Sequence, residues 1–306
     1  MPIRISDALP AARTLEQENI FYMTEKRALS QDIRPLEIVI FNLMPTKIET
    51  ETQLLRLLSN SPLQVNVTLA HMTSHEEHNT AKSHLNTFYL TLDDISGRKF
   101  DGMIVTGAPV ETMPFEEVDY WQELCRVFDW SRTHVYSSFF ICWGAQAALY
   151  RFYGIEKHLL KEKMIGVFEH RVLLPFHPLV RGFNDRFDAP HSRRTGIDEE
   201  AVSRCDRLIV LARSEAAGSY LIADADSRRF YVTGHAEYDT ETLAEEYQRD
   251  LNRGLDIRVP AGYFRDNNPS GLPVNRWKSH AHLLFSNWMN YFVYQNTPYD
   301  IDAIEI

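Results

Sequence analysis

The spacing of apolar and polar positions changes repeatedly along the first half of the chain. Leu36-Glu-Ile-Val-Ile-Phe-Asn-Leu43 is an apolar, β-branched run, the pattern of a buried strand, and Met44-Pro45 ends it. Residues 49–58 (ETETQLLRLL) then carry apolar positions at helical spacing. Residues 63–69 alternate as a second strand, and residues 100–106 read as a third that stops at Gly107. Val, Trp, Leu and Phe recur at helical spacing through residues 115–132. Residues 135–141 form a fourth strand pattern, with a helical one over 144–153 directly behind it. Strands separated by helix-length segments predict an α/β fold, a largely parallel sheet with helices on both faces.

The second half is less regular. Residues 206–211 and 229–233 are strand-like, 240–253 reads as a helix, and 277–294 has strong helical apolar spacing. No repeat, low-complexity tract or Pro/Gly/Ser-rich linker divides the chain. The expectation is one α/β domain over 1–306, with an N-terminal extension (1–34) and a C-terminal helical extension (270–306).

Composition narrows the function. At 306 residues and 44% hydrophobic the chain can bury a large core without staples. A net charge of −10 argues against a nucleic-acid binder, which needs a basic footprint, and leaves room for one anionic ligand on a local patch. The three cysteines (Cys125, Cys142, Cys205) form no CxxC or Cys/His cluster, so no metal site and no disulfide framework is expected. The N-terminus lacks the apolar run of a signal peptide, and no stretch reaches membrane-spanning length. A cytoplasmic protein with free thiols is the expectation.

Three motifs stand where a predicted strand ends, the edge at which open α/β sheets bind ligands. Phe140-Ile141-Cys142-Trp143-Gly144-Ala145-Gln146-Ala147 runs from strand through cysteine into helix. Such a corner exposes a nucleophile, the helix N-terminus favours thiolate, and the Trp143 N–H can meet an oxyanion. A buried structural cysteine fits this segment alone equally well. Thr233-Gly234-His235-Ala236-Glu237-Tyr238 follows a strand-like segment. Residues two apart in extended chain face one side, so Glu237 could orient His235 as a base. Thr106-Gly107-Ala108-Pro109 offers backbone N–H groups close to a substrate oxygen, or a simple turn.

Together TGAP, FICWGAQA and TGHAEY resemble the class I glutamine amidotransferase superfamily, with its oxyanion loop, nucleophile elbow and His-x-Glu. Within it the chain is similar to the homoserine O-acyltransferases of the methionine pathway. That likeness runs from MPIRISDALPA through QDIRPLEIVIFNLMPTKIETETQLLRLLSN, PFEEVDYW and APHSRR to RWKSHAHLLFSNWMNYFVYQNTPYD. It implies Cys142 as acyl-thioester nucleophile, His235 as general base and Glu237 as its partner. It implies oxyanion donors on the backbone of Gly107, Ala108 and Trp143. Lys163, Ser192 and Arg249 fall in KMIGVFEH, APHSRR and EEYQRD, segments matching substrate-binding positions. Spacing alone would leave Lys163 and Arg249 on solvated faces. The implied substrates are L-homoserine and acetyl-CoA, with no bound cofactor or metal and no membrane or nucleic-acid partner; a homodimer is part of the resemblance. Lys47 is a candidate for the coenzyme A phosphates by position alone.

In this family one position is held to set the acyl donor, small in succinyl users and Glu in acetyl users; here it is Glu111. A carboxylate there would repel the distal carboxylate of a succinyl group by about 4 kcal/mol at ~4 Å and an effective dielectric near ~20. The same residue could simply face solvent before a helix. Acetyl transfer is expected, with succinyl transfer and glutamine amidotransferase-type hydrolysis as alternatives.

Overall fold

The computed structural model describes residues 3–6, 8–17, 23–24, 34–75 and 80–303. Much of the expected N-terminal extension, including 18–22 and 25–33, lies outside the described residues. The chain forms two compact units, Met1–Phe140 with Phe285–Ile306, and Ile141–Leu284.

The first unit contains β1 (Ile3–Ile5), β2 (Met23–Thr24), β3 (Leu36–Phe41), β4 (Val65–Ala70), β5 (Tyr89–Leu90), β6 (Phe100–Val105) and β7 (Val135–Ile141). They lie in the order β2-β1-β4-β3-β6-β7, with β5 beside β4, and every pair is parallel. Parallel neighbours need long crossovers. Helices α1 (Pro10–Gln17), α2 (Lys47–Leu58), α3 (Lys82–Phe88), α4 (Leu92–Ile95) and α5 (Trp121–His134) fall between the strands. All six residues of β6 are buried, so both its faces are covered; Asp101 is accommodated there by the Arg34 guanidinium at 2.9 Å.

Beyond β3 the chain is tied down by polar contacts. Asn42 donates to the Tyr89 hydroxyl at 2.9 Å, and the Lys47 ammonium donates to the Asn42 carbonyl at 2.7 Å. Lys47 is only 1% exposed, so its charge serves this loop rather than a surface phosphate patch.

The second unit contains α6 (Trp143–Tyr153), β8 (Lys157–Val172), β9 (Arg186–Ile197), α7 (Glu199–Arg204), β10 (Leu208–Ser214), β11 (Gly218–Asp224), β12 (Arg229–Val232), α8 (Thr242–Asn252) and the start of α9 (Lys278–Asn287). Its strands run β12-β11-β10-β8-β9, every pair antiparallel. The parallel pairing expected from the sequence is thus the property of the first unit. The long β8–β9 hairpin had no clear signal because a bulge between Leu159 and Met164 breaks its alternation and its outer half is solvated. After α9 the chain returns to the first unit as a π-helix, Trp288–Tyr294. Trp288 fits there because residue 102 is glycine. A Cβ at Gly102 would lie 3.0 Å from the Trp288 ring and 2.7 Å from Ile38. The Trp288 indole N–H donates to Ser137 at 2.9 Å. The C-terminal helical segment expected from apolar spacing is therefore present. No described helix is long and apolar enough to cross a membrane.

Candidate active site

Cys142 stands between β7 and α6 with φ 50° and ψ −114°, a conformation that a non-glycine residue rarely adopts. Neighbouring contacts hold it there. Its N–H donates to the Val232 carbonyl at 2.7 Å, and its carbonyl accepts the Gln146 N–H at 3.1 Å. The Gln146 side chain is in turn fixed by the Thr195 hydroxyl at 2.9 Å. The FICWGAQA pattern implied a strand-to-helix corner with its cysteine exposed; the corner is present, but Cys142 is buried in it.

His235 follows β12 in a loop pinned on two sides. The Thr233 hydroxyl donates to the Ser219 carbonyl at 2.7 Å, and the His235 N–H donates to the Pro190 carbonyl at 2.9 Å. Gly234 permits this approach, since a Cβ there would meet the Pro190 oxygen at 2.6 Å. His191, also against Gly234, is held well below the ordinary imidazole range by burial first, then by Arg193, His170 and His235, and packs as a neutral ring. His235 Nδ1 lies 2.6 Å from Glu237 Oε1. The spacing argument placed this pair on one side of an extended strand. The strand instead ends at Val232, and a turn closed by the Tyr238 N–H on the His235 carbonyl (3.4 Å) brings the two side chains together.

Cys142, His235 and Glu237 are 6%, 3% and 7% exposed. Burial works against a charged His235, but the charges of Cys142 and Glu237, and hydrogen bonds with both, outweigh it and hold its pKa well above the ordinary imidazole range. With Nδ1 on Glu237, Nε2 is the nitrogen left for the Cys142 sulfur. Glu237 Oε2 has no hydrogen-bond partner among the described residues, so no other donor draws its charge away from His235.

Tyr238 stacks on His235 with ring centroids 4.1 Å apart and planes at 19°. Its hydroxyl donates to Glu246 Oε1 at 2.8 Å. Burial, then the charges of Glu246, Glu237 and Cys142, hold the phenol well above its ordinary pKa, so it remains a donor.

The substrate candidates meet around the same helix. Lys163, on β8, lies 2.7 Å from Asp250 and 3.8 Å from Glu246. Its side chain is 7% exposed, unlike the solvated residue that spacing alone suggested. Ser192, on β9, donates its hydroxyl to Glu246 Oε2. Arg249, on α8, donates through Nε and Nη2 to Asp250 at 3.1 and 3.0 Å. Burial opposes the charge of Asp250, but Lys163 and Arg249 overcome it and lower its pKa. Sequence reasoning did not single out Glu246, Asp250 or Tyr238. The signal was available on α8, where positions three and four apart share a face, so Glu246, Arg249 and Asp250 form one polar stripe.

In the first unit, Gly107 and Ala108 follow β6 and are buried, and Glu111 is half-buried in the next turn. The Thr106 hydroxyl accepts the Leu43 N–H at 2.8 Å and donates to the Gly107 carbonyl at 3.1 Å, fixing that peptide. Trp143 opens α6 and is fully buried. None of the three cysteines is in a disulfide, and no His/Cys/Asp/Glu group among the described residues is arranged to hold a metal.

Homoserine O-acetyltransferase from Petrotoga mobilis is 57% identical over 305 residues, covering 100% of this chain and 99% of that protein. The protein of the same name from Clostridium acetobutylicum is 57% identical over 301 residues, covering 98% and 100%. Solved structures share the fold alone. A glutamine amidotransferase from Thermotoga maritima superposes with a TM-score of 0.53 at 11% identity, covering 85% of this chain and 97% of that one. One from Methylobacillus flagellatus gives 0.51 at 12%, covering 84% and 95%. The fold is thus that of the class I glutamine amidotransferases. The family model described as homoserine O-succinyltransferase matches residues 2–299, and with full-length relatives above half identity the chain belongs to that family of homoserine acyltransferases.

Proposed function

We propose that this chain is a homoserine O-acetyltransferase of methionine biosynthesis, working through an acetyl-Cys142 intermediate. The observation that carries the reading is the buried Cys142–His235–Glu237 constellation at a strained strand-to-helix corner. The acetyl assignment rests on the names of the relatives and on Glu111.

In the first half-reaction the Cys142 thiolate attacks the thioester carbonyl of acetyl-CoA. The oxyanion is assigned to the backbone N–H of Trp143, which opens α6 directly after Cys142. The carbon–sulfur bond to coenzyme A breaks, and His235 gives its proton to the departing thiolate. In the second, His235 takes the proton of the homoserine hydroxyl, whose oxygen attacks the acetyl-enzyme. The ester bond forms, the bond to Cys142 breaks, and O-acetyl-L-homoserine leaves.

The charge around His235 suits this order. Before acylation the negative sulfur helps to keep His235 protonated, ready to serve as the acid. Acetylation replaces that charge by a neutral thioester. Burial and Glu237 then act alone, and the proton affinity of His235 falls as it becomes the base. Alkylating Cys142 with iodoacetamide mimics the change. NMR titration of the His235 ring is expected to show a lower midpoint in the alkylated protein, and an unchanged midpoint would remove this explanation.

The donor is tested by mixing the protein with acetyl-CoA or succinyl-CoA plus homoserine and following free coenzyme A. Acetyl-CoA is expected to be preferred by at least about tenfold, about 1.4 kcal/mol, and Glu111→Gly to shift the preference towards succinyl-CoA. Wild-type preference for succinyl-CoA would keep the acyltransferase and overturn the donor.

A further inference from the structure

We propose that His191 and His170 form a two-imidazole brace that positions the loop carrying His235, through a single hydrogen bond of fixed direction. Both are positioning residues, and their expected effect on rate rests on the acyltransferase reading.

The two rings belong to the β8–β9 hairpin. His170 pairs with Phe187 and His191 lies opposite Gly166, so alternation gives His170, Phe187 and His191 a common side. Both histidines are fully buried. His170 stacks on Phe187 with ring centroids 5.5 Å apart, and its Nε2 lies 3.0 Å from His191 Nε2. Burial, the largest influence on each, pushes the His170 pKa down to about 4 and that of His191 well below the ordinary imidazole range, so both rings are neutral at neutral pH. In such a contact one neutral imidazole donates and the other accepts, and a third group decides which. Arg193 makes that choice. Its Nε–H can only donate, and it meets His191 Nδ1 at 3.4 Å. His191 Nδ1 is therefore an acceptor, its proton sits on Nε2, and the bond runs from His191 to His170. The Arg193 guanidinium is itself held by the Thr195 and Ala217 carbonyls.

The brace ends against the loop of the base. A Cβ on Gly234 would lie 3.0 Å from His191 Cε1 and 3.0 Å from the Tyr220 ring, so the residue before His235 rests directly on these two side chains. His170 supports both, with its ring centroid 5.1 Å from that of His191 and 4.5 Å from that of Tyr220. Pro190, the residue before His191, accepts the His235 N–H at 2.9 Å. A shift of His191 therefore moves both the floor under Gly234 and the carbonyl that anchors His235. Displacing a catalytic group by about 1 Å can cost on the order of a hundredfold in rate.

The test compares two amide replacements of each ring. Gln places its terminal amide near imidazole Nε2 and Asn near Nδ1, so Gln can keep the bond between the two positions and Asn cannot. Two readouts are taken on the full chain. Hydrogen exchange over residues 230–238, followed by mass spectrometry, needs no turnover. Steady-state coenzyme A release with acetyl-CoA and homoserine gives kcat and KM. His191→Asn is expected to speed exchange in that peptide by at least about tenfold and to lower kcat by about tenfold or more, with both KM values within about twofold of wild type. His191→Gln should stay within about threefold of wild type in exchange and kcat. His170→Asn and His170→Gln should repeat this ranking from the accepting side, and they decide the matter should His191→Asn not fold. Gln variants as impaired as the Asn variants would overturn the brace, as would Asn variants with wild-type exchange, or a loss that falls on KM instead of kcat. A wild type that releases no coenzyme A, with the exchange ranking intact, would instead overturn the acyltransferase reading and leave the brace standing.

Discussion

Cys142→Ala is expected to lower the rate of homoserine acylation by at least about 10⁴-fold, because the proposed route carries the acyl group on the Cys142 sulfur. The loss should appear in kcat with little effect on folding. Ala is smaller than Cys and adds no polar atom, and the contacts that hold the corner are made by the backbone of residue 142. The positive φ at this position is already borne by a residue with a Cβ, so alanine adds no new strain. His235 should also lose the largest attraction that holds its proton. Steady-state coenzyme A release measures the first effect. A residual rate above about a hundredth of wild type would assign the chemistry to direct transfer from donor to homoserine, oriented by the rest of the site.

Gly166→Ala should be the most destabilising single methyl addition in the second unit. Gly166 has φ 144°, and a Cβ there would fall 2.4 Å from both the backbone N and O of Ala261. Rotating a side chain away is impossible, because the obstacle is main chain. The neighbouring bonds, Val167 N–H to the Ala261 carbonyl (2.8 Å) and Ala261 N–H to the Ile165 carbonyl (3.0 Å), would have to break or shift. Ile165 and Val167 belong to a core cluster with Tyr238, Leu243, Tyr263 and Trp277, so the disturbance reaches the helix that carries Glu246 and Arg249. A cost of about 3 kcal/mol or more, and a fall in Tm of about 10 °C, is expected. Calorimetry checks it, and a variant as stable as wild type would mean that the Gly166–Ala261 approach is dispensable.

The first unit was legible in the sequence because its central strands β3, β6 and β7 are largely buried. Runs such as 36–41 and 100–105 have almost no solvent side, Glu37 alone being half-buried, and the helices between them keep their spacing. The elbow was legible for a related reason: an apolar strand, a cysteine and small residues meet within a few positions. The second unit was harder to read. A half-exposed hairpin with a bulge alternates imperfectly, and β11 became identifiable only through its antiparallel partners. The His235–Glu237 pair was located for a partly mistaken reason, since the two residues meet in a turn rather than along a strand. Lys163 shows the limit of local reasoning. Its flanking Lys161 and Glu162 are exposed, yet β8 carries it to Asp250, a partner 87 positions away that no local window contains.

The central claim, a covalent acetyl-enzyme on Cys142, is tested most directly by intact mass spectrometry after brief mixing with acetyl-CoA. The account predicts one acetyl adduct, mapped to Cys142, absent in Cys142→Ala, and discharged when homoserine is added. Coenzyme A release and O-acetylhomoserine formation without any adduct on Cys142, or an adduct that homoserine leaves in place, would contradict it.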